Sequence, residues 1–311
     1  MAGSDVHVNI ELQYRQRETV LDTISKIDPY GDRPVLTSIG RKNISGTKPE
    51  WTKQTLETPS ASNTNAHGFT VTFAATDWTA RTQEYNYTQL MNKKVSVDLS
   101  KEAVDTAGIS KGVDGELNEQ KRLKSDALFN DVEAMLISAN TRVQPLPDSA
   151  QDGVSGGMQT YIATNVIAAG SGEWPQRTLQ PGMYHNIAQR CKKKGGRPNK
   201  TFCGIGAKEA IASWITQVNR PVSDQGKKLV NVINQYETVS GMQDIVLHMQ
   251  LTDVLLMIET GRWQTAWLRS PKWYPYPANG DFHGGDYRLE ASLISWAEEA
   301  NGKISGLSYT S

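Results

Sequence analysis

The stretch from Lys48 to Leu99 constrains this chain more than any other. It is mostly polar, threaded with aromatic residues, and reads as extended; a short helical patch follows, and then a charged amphipathic helix over Glu116–Ala139. Strand side chains alternate between two faces. The apolar residues here are too sparse to bury both faces against the same chain. Strands of this design must lie on something else, which points to a subunit of an assembly rather than a self-contained catalyst.

Composition narrows the classes. The 311 residues suit one large domain or two of ordinary size. Hydrophobic residues are 38% and charged residues 21%, enough for a real core. Lys plus Arg equals Asp plus Glu at 33 each, so no global charge favours nucleic acid or a membrane, and an electrostatic partner must meet a local patch. The first ten residues show no secretory pattern, no stretch approaches the ~20 apolar residues of a membrane span, and no membrane partner is expected. The longest apolar run, Val254–Ile258, predicts a buried strand. Cys191 and Cys203 fit reduced thiols better than a disulfide, and the sequons at Asn43, Asn86 and Asn199 carry no meaning without secretion.

Local patterns predict a short helix over residues 16–26, ended by Asp28-Pro29 and Asp32-Arg33-Pro34, and an extended run Val35–Gly40. Glu50–Leu56 reads as a strand, Thr58–Gly68 as a connection, Phe69–Phe73 as a one-faced strand, and Gln83–Leu99 as a further strand region. Ser100 is placed to cap a helix over Lys101–Thr106, and Asp114 to cap the long helix, whose apolar face is Leu117, Leu128, Val132, Met135, Leu136 and Ala139. Thr141–Gly157 is loop-rich and a plausible boundary. Beyond it come helices over Leu179–Lys194 and Ala207–Ile215, and strands over Thr201–Gly204, Asp244–Met249, Val254–Glu259 and Trp263–Leu268. A closing hairpin, Arg288–Glu298 with Lys303–Tyr309, would turn at Asn301-Gly302, the strongest short hairpin signal.

Catalytic motifs are missing: there is no phosphate-binding loop, dinucleotide fingerprint, HExxH or GxSxG. The best metal-like cluster is Asp281, His283 and Asp286 in NGDFHGGDY, which would suit a metal-dependent hydrolase but reads better as a glycine-rich loop of solvated groups before a strand. Arg190–Lys200 is a basic run that suits either a phosphate backbone or a solvated helix end. Lys121, Arg122 and Lys124 form a second basic cluster on the seam of the long helix. Of eight tryptophans, Trp214, Trp263 and Trp296 suit a core, whereas Trp51 and Trp78 lie in the extended region, where a protein partner would cover them.

The order of the segments DRPVLTSIGRKNISGTKPEWTKQTL, YNYTQLMNKKVSVDLSKEAVDTAG, the long helix, TFCGIGAKEAIASWI, GKKLVNVINQYET, WQTAWLRSP and LEASLISWAEEANGKISGL resembles the tailed-bacteriophage major capsid (major head) proteins, in the Sukuvirus-ten-like branch. The resemblance covers roughly residues 16–308. It implies an α+β Hong Kong 97-like fold: an N-terminal arm (1–47), an extended loop (48–92), a peripheral domain (93–155 with 286–311) whose spine helix is 116–139, and an axial domain (156–285) with a tip loop at Asn219–Lys228. It implies a non-enzymatic structural subunit without cofactor or metal, forming pentamers and hexamers of an icosahedral shell around double-stranded DNA. Implied partners are copies of itself, a separate scaffolding protein, a portal and a decoration protein. The protein would lie in the virion capsid after assembly in the host cytoplasm. Trp51, Lys53, Phe69, Val71, Phe73, Trp78 and Tyr87 become expected contacts with a neighbouring copy, and Lys121, Arg122 and Lys124 expected DNA-facing residues. Lysine cross-linking is not carried over, so a non-covalent shell is expected. An encapsulin-like compartment is the alternative on the same fold.

Overall fold

The structure, a computed structural model, describes residues 25–72, 79–103, 115–146, 151–214, 234–277 and 280–309. The expected tip loop, most of the helix over 16–26, Phe73, Trp78 and Asp114 fall outside them.

In chain order the elements are α1 (Pro34–Ser38), β1 (Gly40–Asn43), β2 (Glu50–Gln54), β3 (Arg81–Tyr85), β4 (Gln89–Asp98), α2 (Leu99–Ala103), α3 (Gly115–Ile137), α4 (Met158–Tyr161), β5 (Val166–Ala168), α5 (Pro181–Lys193), β6 (Lys200–Cys203), α6 (Ile205–Ser213), β7 (Gln235–Thr238), β8 (Gly241–Leu247), β9 (Leu255–Ile258), β10 (Trp263–Pro275), β11 (Phe282–Ser295) and β12 (Gly302–Ser305). They form a four-stranded sheet, β1-β10-β11-β4, a six-stranded sheet, β5-β12-β9-β6-β8-β7, and a two-stranded ribbon, β2-β3.

The apolar face expected of α3 is the one it buries, except that the helix ends at Ile137 and Ala139 lies beyond it, exposed. Leu128, Val132, Met135 and Leu136 pack on Trp263, Trp267, Leu289 and Leu293 of the four-stranded sheet and on Phe202, Leu256 and Ile258 of the six-stranded one. On the far side of the six-stranded sheet, Met183, Tyr184 and Ile187 of α5 and Ile211 of α6 meet Leu255, Met257 and Ile304. Every residue of β9 is therefore buried, with alternate side chains in different cores. That explains an apolar run without alternation.

Four expectations are corrected. Val35–Gly40 is not extended: Pro34–Ser38 is a helix turn with Pro at its first position. Its amides find an acceptor remote in sequence, since Val35 N and Leu36 N each donate to the Glu133 carboxylate of α3 at 2.8 Å. The region Gln83–Leu99 is split, with β3 in the ribbon and β4 in the four-stranded sheet. Residues 69–72 are not a strand, because no strand of the described residues lies beside them to pair. The closing hairpin does not form either: β11 pairs with β10 and β4, while β12 pairs parallel to β5 and antiparallel to β9.

Asn301-Gly302 serves packing instead of a turn. Asn301 is fully buried and extended, and its side-chain oxygen accepts from Glu259 N at 2.8 Å and from Trp263 Nε1 at 3.0 Å. A Cβ on Gly302 would lie 2.5 Å from Ile187 Cγ1 and 3.0 Å from Cys191 Sγ, so only glycine lets β12 pass under α5. Sheet membership also cuts across the expected domain limits. β10, expected in the axial part, belongs to the sheet beside α3, and β12, expected in the peripheral part, belongs to the six-stranded sheet.

Candidate inter-subunit surface

The extended loop leaves the body through the β2-β3 ribbon, in register from Glu50↔Tyr85 to Gln54↔Arg81. Its root is held by groups that the sequence did not single out as anchors. Asn86, fully buried, donates from Nδ2 to Leu293 O at 2.8 Å and to Ser155 Oγ at 3.1 Å, while its Oδ1 accepts from Gly156 N at 2.9 Å. The Arg142 guanidinium donates to Tyr85 O at 2.7 Å and lies 3.9 Å from the centre of the Tyr85 ring. The Tyr161 hydroxyl donates to the same carbonyl at 2.7 Å, and burial pushes its pKa up to about 12. A polar residue between two tyrosines was the one signal for Asn86.

Trp51 departs from its expected role as an open contact. It is 4% exposed in its own chain, packed with Ala266 and Ile294 on the outer face of the four-stranded sheet and 5.9 Å from the Tyr161 ring. That apolar seat belongs to β10 and β11, far away in sequence. Lys53 is also engaged at home: its Nζ lies 2.7 Å from Glu299 Oε1 and 3.7 Å from Glu84 Oε1. These residues, with Arg142, Tyr161 and Glu298, line a cleft of about 320 Å³ beneath the loop root. Tyr87 is half-buried, with its ring edge-on to Tyr85 at 5.5 Å.

Beyond the ribbon the picture reverses. Residues 55–72 carry no strand and are exposed throughout. Leu56 is 90% exposed, Phe69 57% and Val71 59%. Three large apolar side chains on one loop are open to water and join none of the cores formed by the described residues.

The basic cluster of the long helix divides. Arg122 is bound to Glu119 through two hydrogen bonds, at 2.6 and 3.0 Å, and Lys121 lies 4.9 Å from the centre of the Trp273 ring, whereas Lys124 is exposed. The metal-like trio is not brought together. Asp286 is buried and accepts from Arg288 Nε at 2.6 Å, His283 Nδ1 lies 3.6 Å from Glu102, and Asp281 accepts from Ser100 at 3.4 Å. Among the described residues no group of three His, Cys, Asp or Glu side chains is placed to hold a metal ion. Cys191 and Cys203 are both buried free thiols. No described helix is long and apolar enough to cross a membrane.

A family model described as SU10 major capsid protein matches residues 6–308. No curated protein matches by sequence. Among solved structures, one from Microbacterium phage Oxtober96 superposes with a TM-score of 0.65 at 13% identity, covering 96% of this chain and 97% of that one. The capsid of a native GTA particle gives 0.65 at 10% identity, covering 98% and 100%. The holo-SrpI encapsulin complex of Synechococcus elongatus PCC 7942 gives 0.58 at 10% identity, covering 100% and 99%. The likeness to an encapsulin is one of fold.

Proposed function

The chain belongs to the SU10 major capsid protein family, tailed-phage structural proteins of the Hong Kong 97-like fold, and from that premise we propose how its copies build a shell. Pentamers and hexamers close into an icosahedral particle around double-stranded DNA. The extended loop of each copy lies over its neighbour. The observation that carries this reading is the exposure of Leu56, Phe69 and Val71 on a loop whose root is fixed and whose described outer residues, 55–72, are all exposed. A neighbour that covers them supplies the missing core, and pairing along residues 69–72 would give that segment the strand its alternation calls for. Trp51 and Lys53 act from beneath, setting the loop's angle.

Each copy would bury more than ~2,000 Å² against its neighbours, as permanent assemblies do. Neutral net charge favours the packing, because like-charged copies would repel. Lys53 is paired with Glu299, which supports a shell held without covalent links. A separate scaffolding protein, a portal and a decoration protein complete the assembly, which takes place in the host cytoplasm. The part expected as peripheral is built on α3 and the four-stranded sheet, and the axial part on the six-stranded sheet with α5 and α6.

Negative-stain images of the purified protein test this directly. Uniform hollow particles are expected, and a monodisperse monomer under every assembly condition would refute it. DNA inside particles made in the host, rather than a protein cargo, separates the capsid from an encapsulin-like compartment.

A further inference from the structure

The basic run at the end of α5 takes no part in the contacts above, and its construction points outward. Lys192 and Lys193 lie in the last turn, Lys194 caps it, and Arg197 follows two glycines; all four side chains are exposed. The helix is closed by backbone alone. Gly195, at φ +82°, donates to Lys192 O at 3.0 Å, and Gly196 donates to Cys191 O at 2.9 Å. The lysine heads are therefore not consumed in capping. The turn is also firmly seated, since a Cβ on Gly196 would lie 2.3 Å from Ala300 O. Successive helical residues point about 100° apart, so the three lysines fan around the helix end.

Residues 188–200 contain no Asp or Glu. The carboxylates that this turn meets are already held. Glu259 takes Arg197 N at 2.9 Å and Arg262 Nε at 3.3 Å, and Glu299 takes Lys53 Nζ at 2.7 Å. Positive charge is left over on a chain that is neutral as a whole.

We propose that Lys192, Lys193, Lys194 and Arg197 form a patch that binds the phosphate backbone of duplex DNA without reading its sequence. Protein interfaces are depleted in lysine at their cores, and no large apolar side chain of this segment is exposed. A fan of point charges suits a backbone followed by charge alone. The proposal rests on the reading of a DNA-filled shell, and moves the main DNA contact away from the long helix, where Glu119 holds Arg122 and Lys121 lies on Trp273.

The test titrates labelled duplex DNA of arbitrary sequence with the purified full-length protein across a series of salt concentrations. In K192Q/K193Q/K194Q/R197Q, binding should weaken at least about tenfold near 0.1 M salt, and the slope of log affinity against log salt should fall by about 3–4, at about 0.9 per phosphate contact. K193Q alone should lower the slope by about 1, which keeps the test open if the fourfold variant folds poorly. An unchanged slope overturns the proposal. So does a larger loss in K121Q/R122Q/K124Q, or tighter binding of polyglutamate than of DNA, which would assign the patch to an acidic protein. Particle formation is scored in the same preparations. Intact particles with an unchanged slope sink only the patch, whereas wild-type protein that stays monomeric under every assembly condition, scaffolding protein included, sinks the capsid reading.

Discussion

Both oxygens of the Glu133 carboxylate are occupied: Oε1 by Val35 N and by His248 Nε2 at 2.9 Å, Oε2 by Leu36 N. Gln250 N donates to His248 Nδ1 at 3.2 Å, which leaves the ring proton on Nε2, facing Glu133. One side chain of α3 thus joins the arm to the turn after β8. Glu133→Ala would strand three buried donors, and a loss of at least about 3 kcal/mol in denaturant unfolding is expected; Glu133→Gln should cost less, since one acceptor remains. Asn301→Ala should cost about 2–4 kcal/mol in the same measurement, because Trp263 Nε1 and Glu259 N lose their acceptor.

The thiols of Cys191 and Cys203 make a pH prediction. Burial pushes both pKa values up to about 12. An unfolded thiol ionises near 8.5, so the contribution of each is complete below about pH 8.5 and is lost as pH rises towards about 12, at up to about 1.4 kcal/mol per pH unit for each thiol. Unfolding midpoints measured in reducing buffer should fall between pH 8 and pH 10, and less steeply in C191A/C203A. Thiol reagents at pH 8 should label the protein only after denaturant is added; rapid labelling of the native protein would contradict the burial.

Among the elements, the loop beyond the β2-β3 ribbon is the one expected to separate folding from assembly. Phe69→Ser with Val71→Ser removes apolar surface that the chain itself leaves in water. The melting temperature of the isolated subunit should stay within a few degrees of wild type, while particle yield falls sharply in electron micrographs. A large drop in melting temperature would mean that the loop packs on its own body. Helix α1 shows how an element can be fixed from outside its own sequence. Val35–Gly40 has the composition of a strand, yet Pro34 sets the first turn and Glu133 supplies the acceptors.

For the whole molecule, the two sheets share one core through α3, and β9 contributes to the cores on both of its faces. The body is therefore expected to move as a unit on assembly, with the loops adapting. Because Lys53 is ion-paired within its own chain, denaturing gels of purified particles should show a single band at the subunit mass of 34.3 kDa. A ladder of linked subunits would overturn the non-covalent shell.

Much of this was written along the chain. The spacing of Leu128, Val132 and Leu136 set the buried face of α3. The apolar run at 254–258 set a strand covered on both sides. The poverty of apolar residues over 48–99 pointed to a partner, yet Trp51, Met91, Val95 and Val97 are buried in their own chain, and only residues 55–72 are exposed throughout. The legible features are local matters, because periodicity and burial demand reside in neighbouring residues. Only the tertiary structure decided that Trp51 has a seat in its own chain, that Asn86 anchors the loop root, that Asn301-Gly302 is a buried junction rather than a turn, and that Arg122 and Lys121 are already engaged. Each of those depends on a group many residues distant. A hydrogen-bond acceptor or an apolar seat brought by another strand leaves no trace in the local pattern.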